Sequence, residues 1–260
     1  YYFNHIWGSK QGDIENFAVT EMSNSGLLWA TTGEMAHRIL WMAGDITLFI
    51  GTVGGELMLA SMNIKGAPLS PNNFNFVSVS SYGCADIDAR VLSGATYFVK
   101  RGGNGIVELS LDPQGVVPVA IDRTLLAPHL FSTALTGIAA APLPTPTLWA
   151  INGTNRFYGL TSLANEKIAA WHQHDTASLD AGVLDGNIES IWTLPNPGGW
   201  TETWAIIKRR VKDGAAAWRY WRYIERMDYI AQTTADEDKL YSDCGKTWTN
   251  AGSTTITGMQ

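Results

Sequence analysis

PTLWAINGTNRFYGLT, from Pro146 to Thr161, holds the plan of the chain in miniature. TLWAI is apolar enough for a strand buried on both faces. Asn152 and Gly153 can take a positive φ, so ING predicts a tight turn. RFYGLT then resumes with aromatic and apolar side chains that suit a second strand packed on a neighbouring sheet. Three other segments repeat the plan. ITLFIGTVGGELMLA (Ile46–Ala60) turns at Gly54 and Gly55, and ATYFVKRGGNGIVELS (Ala95–Ser110) turns at Gly102, Gly103 and Gly105. TWAIIKRRVKDGAAAWRYWRYIE (Thr203–Glu225) turns at Asp213 and Gly214. The four start at residues 46, 95, 146 and 203, about fifty apart, which is the period of a propeller blade. One hairpin is marginal alone, whereas stacked sheets bury the faces that a single unit leaves open.

Further strands are expected at RILWMAG (Arg38–Gly44), NFVSVSSYG (Asn75–Gly83), KIAAWHQHD (Lys167–Asp175) and IESIWTLP (Ile188–Pro195). That makes about four strands per repeat: an all-β, propeller-like array of antiparallel four-stranded blades. LDPQGVVPVAIDR (Leu111–Arg123) and PLPTPT (Pro142–Thr147) read as connectors. RTLLAPHLF (Arg123–Phe131) reads as a short helix stopped or kinked at Pro128. The rhythm breaks after Glu225, so residues 1–228 are expected to form the propeller-like domain. Residues 229–260 would be a linker and the beginning of a following β domain. The chain starts at Tyr1 without Met and stops in a strand-like pattern, TTITGMQ, so a segment of a longer polypeptide is expected.

The composition narrows the function. Eleven Trp, 26 Gly and only 16% charged residues suit short strands and tight turns and exclude a disordered chain. The net charge of −6 disfavours tight nucleic-acid binding, although an acidic wall along which DNA slides stays open. Cys84 and Cys244 read as free thiols, and no apolar run is long enough to span a membrane.

Each candidate for chemistry has a plainer reading. YSDCGKTWTN (Tyr241–Asn250) approaches the Asp box of sialidase blades at Asp243, Gly245 and Trp248, but Tyr241 stands where the box has Ser. Its plain role is a turn with an aromatic beneath it. His172 and His174 in WHQHD share a strand face and are weak zinc candidates without a third ligand nearby. Asp86 and Asp88 could hold a cation if CADIDAR is extended. KRGGNG (Lys100–Gly105) lacks the order of a phosphate loop and precedes a strand. KRRVKDG (Lys208–Gly214) is a basic tip open to an acidic neighbour or to DNA phosphates. There is no nucleophile elbow and no cofactor motif.

Seven segments occur in a telling order: WGSKQGDIENF (Trp7–Phe17), IGTVGGEL (Ile50–Leu57), SSYGCAD (Ser80–Asp86), FVKRGGNGIVEL (Phe98–Leu109), DRTLLAPHL (Asp122–Leu130), AAWHQHDT (Ala169–Thr176) and YIERM (Tyr223–Met227). As a set, the chain resembles the tail nozzle proteins of short-tailed phages and phage-like particles, the tail tubular protein B family. The resemblance implies a structural virion protein without catalytic residues or cofactor. It implies a ring, usually described as six copies, that meets a tail adaptor and tail-tip or fibre proteins and passes double-stranded DNA transiently. A carbohydrate- or receptor-binding propeller of the tail is the alternative, and a glycoside hydrolase is a distant third.

Overall fold

The computed structural model describes residues 3–227 apart from 21, 23, 32–37, 45, 46, 62–69, 72, 113–116, 164, 165, 167, 177–185 and 213–217. The chain is all-β, with antiparallel sheets that follow one another in sequence. Sheet I has two strands, β1 (His5–Gly8) and β2 (Leu27–Ala30). Sheet II runs β3 (Ile39–Ala43), β4 (Phe49–Thr52), β5 (Glu56–Ser61) and β6 (Phe74–Ser80). Sheet III runs β7 (Arg90–Leu92), β8 (Ala95–Val99), β9 (Ile106–Leu111) and β10 (Pro118–Asp122). Sheet IV runs β11 (Gly137–Ala141), β12 (Thr147–Ile151), β13 (Arg156–Leu163) and β14 (Ile168–Asp175). Sheet V has three strands, β15 (Asn187–Pro195), β16 (Thr201–Lys212) and β17 (Trp218–Arg226).

The period-two alternation of a strand explains how the sheets stack. In β8, Phe98 points to sheet II, where it meets Trp41, Phe49 and Met58. Tyr97 and Val99 point the other way, to Leu148, Tyr158 and Leu160 of sheet IV. In β12, Leu148 and Ala150 face sheet III, while Trp149 and Ile151 face Ile188, Ile191 and Ile207 of sheet V. Every residue of β8 and of β12 is buried. Each apolar face therefore has its own partner sheet, and full burial of one such side chain contributes about 1.5–3 kcal/mol. Sheet I joins through Trp29, stacked on Phe76 at 3.7 Å.

Backbone hydrogen bonds repeat the same clasp between successive sheets. The lead into the next sheet donates to the hairpin turn of the previous one: Cys84 N to Thr52 O at 2.9 Å, Leu135 N to Gly103 O at 2.8 Å, and Ile188 N to Thr154 O at 2.9 Å. A side-chain network locks sheets III and IV. Arg123 grips Glu108 with two hydrogen bonds at 2.7 and 2.9 Å, and Tyr97 donates to Glu108 at 2.7 Å and meets Ser162 at 3.1 Å. Trp171 of β14 donates its indole N–H to Arg123 O at 2.7 Å.

Three expectations change. Leu111–Arg123 is not all connector, because Pro118–Asp122 pairs with β9; Pro118 opens the edge strand, where no ladder N–H is needed. Pro128 begins a short 3-10 helix, Pro128–Phe131, instead of stopping one, since its fixed φ suits the first turn. Sheet V has three strands where four per unit were expected. The boundary near Asp228, with residues 229–260, lies outside the described residues.

The stacking makes a direct prediction. Phe98→Ala removes the side chain that joins sheets II and III and should cost about 3–5 kcal/mol, read as a lower urea midpoint at unchanged slope. A cost below about 1 kcal/mol would mean that the two sheets do not depend on this contact.

Candidate functional site

The expected turn residues split into two groups. Gly102, Gly103 and Gly153 have positive φ, at 94°, 81° and 74°. Asn152 caps its turn by accepting from Thr154 N at 3.2 Å and Thr154 Oγ1 at 2.6 Å. Gly54, Gly55 and Gly105 are not among the positive-φ glycines. The Thr52 hydroxyl holds the turn at Gly54 and Gly55, taking both amides at 3.2 and 3.1 Å and donating to Gly55 O at 2.7 Å. Gly105 is needed for space: a Cβ there would lie 2.3 Å from Lys100 Cε. Lys100 Nζ reaches across it to Asp122 at 2.7 Å, so the KRGGNG lysine is engaged within the protein. Asp213, Gly214, Asp243, Gly245 and Trp248 lie outside the described residues, as does Cys244.

His172 and His174 do share a face of β14. Their rings meet, with Nδ1 of His172 2.6 Å from Nε2 of His174, and Thr161 Oγ1 lies 3.2 Å from Nε2 of His172. Gly159 is opposite His172 in register and leaves room for its imidazole, where a Cβ would stand only 2.1 Å away. Trp149 contacts both rings and Phe157 stacks on His174. Burial, then the neighbouring His174, holds His172 below its ordinary 6.5. The pair is thus the outer end of an aromatic cluster. Among the described residues, no group of three or more His, Cys, Asp or Glu could hold a metal ion.

Two acidic places stand out. A cavity of about 290 Å³ opens where the chain enters sheets III, IV and V, lined in part by Asp86, Asp88, Arg90, Ile138, Ile151 and Glu189. Residues 86 and 87 form a bend, so the extended stretch that would put Asp86 and Asp88 on one face for a cation is not formed. Each faces a different arginine, Arg38 at 3.8 Å and Arg90 at 3.7 Å. The second place is fully buried. Glu56 accepts from the Ser80 hydroxyl, from the Cys84 thiol at 3.2 Å and from the backbone at Tyr82 and Gly83. Burial outweighs these donors and raises the carboxyl above its ordinary 4.5; burial and then Glu56 push the free Cys84 thiol up. Sequence reading missed this site, although Gly83, at φ 67° beside Val53 O, marks the tight approach that builds it.

The basic tip belongs to a longer arm. β16 pairs with β15 only over Thr201–Lys208, but with β17 as far as Lys212 and Trp218. Residues 209–212 and 218–221 therefore form a two-stranded ribbon beyond the sheet. Residues 201–227 carry seven Lys and Arg against three Asp and Glu, a net +4, which leaves −10 on the rest of the chain. Aromatics interleave: Tyr220 is 64% and Trp221 55% exposed. Lys208 lies 4.8 Å over the Tyr220 ring and Arg210 4.3 Å over Trp218. Three arginines already hold carboxylates: Arg209 with Glu225 at 2.5 Å, Arg222 with Glu189 at 2.6 Å and Arg226 with Glu202 at 3.1 Å.

Neither a protein-family model nor a curated protein matches the chain. Among the described residues no helix is long and apolar enough to cross a membrane.

The two titrating groups give opposite pH signatures. The folded state binds the Glu56 proton more tightly than the unfolded state, so this group's contribution falls as pH rises above 4.5. For His172 the folded state binds its proton less tightly, so its contribution is present above 6.5 and is lost as pH falls through the lowered folded value. Relative to Glu56→Gln, wild-type stability should decline as pH rises; relative to His172→Gln, it should decline as pH falls. Urea midpoints from about pH 4.5 to about 7.5 read both signs, and parallel profiles would contradict the assignment.

Proposed function

We propose that the chain is a structural subunit of a phage tail nozzle, a ring that extends the DNA ejection channel below the portal and adaptor, and that it works in the virion and not as an enzyme. Its sheets act as blades of a propeller-like array. The observation that carries the architecture is the stack itself, in which successive meanders clasp one another and the first strands β7, β11 and β15 touch in series. The function rests on the ordered resemblance of segments along the chain. The net charge of −6 adds support, because a surface of this sign repels a duplex within about 8 Å at physiological salt.

A receptor-binding propeller is the second reading, favoured by the exposed Trp and Tyr of β17, which could stack on sugar rings. A glycan array separates the two: the nozzle reading expects no hits.

The nozzle reading is tested by electron microscopy of the purified protein and of particles labelled with an antibody to it. Ring-shaped assemblies and label at the tail are expected, with duplex DNA unretained at about 0.15 M salt. A strictly monomeric protein absent from tails would overturn the reading.

A further inference from the structure

The stack has two ends, and both turn an apolar face outward. At one end, Ile188, Ile191 and Ile207 of sheet V pack on sheet IV, while the register places Trp204, Ile206, Tyr220 and Ile224 on the opposite face. Tyr220 and Ile224 are 64% and 68% exposed. At the other end, Trp29 of sheet I packs inward on Phe76, and the cross-strand pair Trp7 and Leu28 faces out. The segment between β1 and β2 adds Ile14, Phe17, Val19 and Met22, all exposed. Among the described residues β17 makes no extensive contact with β1 or β2, so these strands do not cover one end with the other.

The two ends differ in charge. Among the described residues, those of 201–227 hold seven Lys and Arg against two Glu, a net +5, whereas those of 3–31 hold Lys10 against Asp13 and Glu15, a net −1. We propose that the β16–β17 arm of one copy docks on the sheet I end of a second copy, a head-to-tail contact between unlike surfaces. Such a contact, repeated, closes into a ring or runs on as a filament. Trp, Tyr and Arg, the residues that dominate the arm, are those that anchor protein interfaces. A two-stranded ribbon is marginal in water, so the projecting part of the arm gains most from a partner. Nucleic acid fits less well, because Arg209, Arg222 and Arg226 are already committed to carboxylates and a phosphate track needs free cations. This inference rests on the reading of the chain as an assembly subunit and names the surfaces that join.

The test is charge exchange in the full 260-residue chain. Lys208→Glu with Arg210→Glu reverses the arm, and Asp13→Lys with Glu15→Lys reverses the other end. In sedimentation velocity each variant alone should associate about thirty-fold more weakly than wild type. An equimolar mixture of the two should recover association, since each arm again meets an opposite charge. Tyr220→Ser, a change at an exposed position of the outward face, should weaken association without charge reversal. If wild type assembles and none of these variants alters it, or the mixture stays apart, this interface is overturned while the assembly reading stands. If wild type is monomeric at every concentration, both fall. If the arm variant instead loses binding to a 30-nucleotide single strand with association unchanged, the arm is a nucleic-acid contact and the proposal is wrong.

Discussion

The structure depends on strands that bury both faces. β8 and β12 present apolar side chains alternately up and down, so neither can belong to a sheet with one side in water. Each requires a sheet above and a sheet below. That requirement turns a series of hairpins into a stack, and it sets where the stack is strong and where it is incomplete. The inner sheets III and IV hold most of the large side chains that are fully buried among the described residues, among them Tyr97, Phe98, Leu148 and Leu160. The outer sheets I and V have one face each that no described residue covers extensively.

The polar groups follow the same logic. Glu108, Arg123, Tyr97 and Ser162 meet between sheets III and IV and satisfy one another, so the burial of charge is compensated by hydrogen bonds. Glu56 is the exception: its donors are neutral, and its carboxyl rises above the ordinary value. The fold thus contains an acid whose ionisation opposes folding, beside a clasp that joins sheets II and III. The histidines of β14 act as aromatic-edge residues, tied to each other and to Trp149.

How legible the fold was depended on burial. β8, β9, β12 and β13 read clearly because two-sided burial leaves dense apolar runs, as in TLWAI. β1, β2, β7, β10 and β11 were missed. RVL is three residues long, PVAID looked like a connector because of its proline, and GIAAA is too weakly apolar to stand out although it packs against Ile188 and Ile191. Turn chemistry was half legible: Asn152 and Gly153 declared their turn, while the Thr52 hydroxyl did the work expected of Gly54 and Gly55. The arm's basic and aromatic residues were visible in sequence. Its reach beyond β15 was not, since that depends on the unequal lengths of pairing partners.

Hydrogen exchange read by mass spectrometry at two protein concentrations tests the central claim most directly. Amides of β8 and β12 should exchange only through global unfolding at either concentration. Amides of the β16–β17 arm and of β1–β2 should gain protection together at the higher concentration, where copies associate. Fast exchange in β8 or β12 would contradict the two-sided burial from which the stack follows. Concentration-independent protection of the arm would show that its outer face needs no second copy.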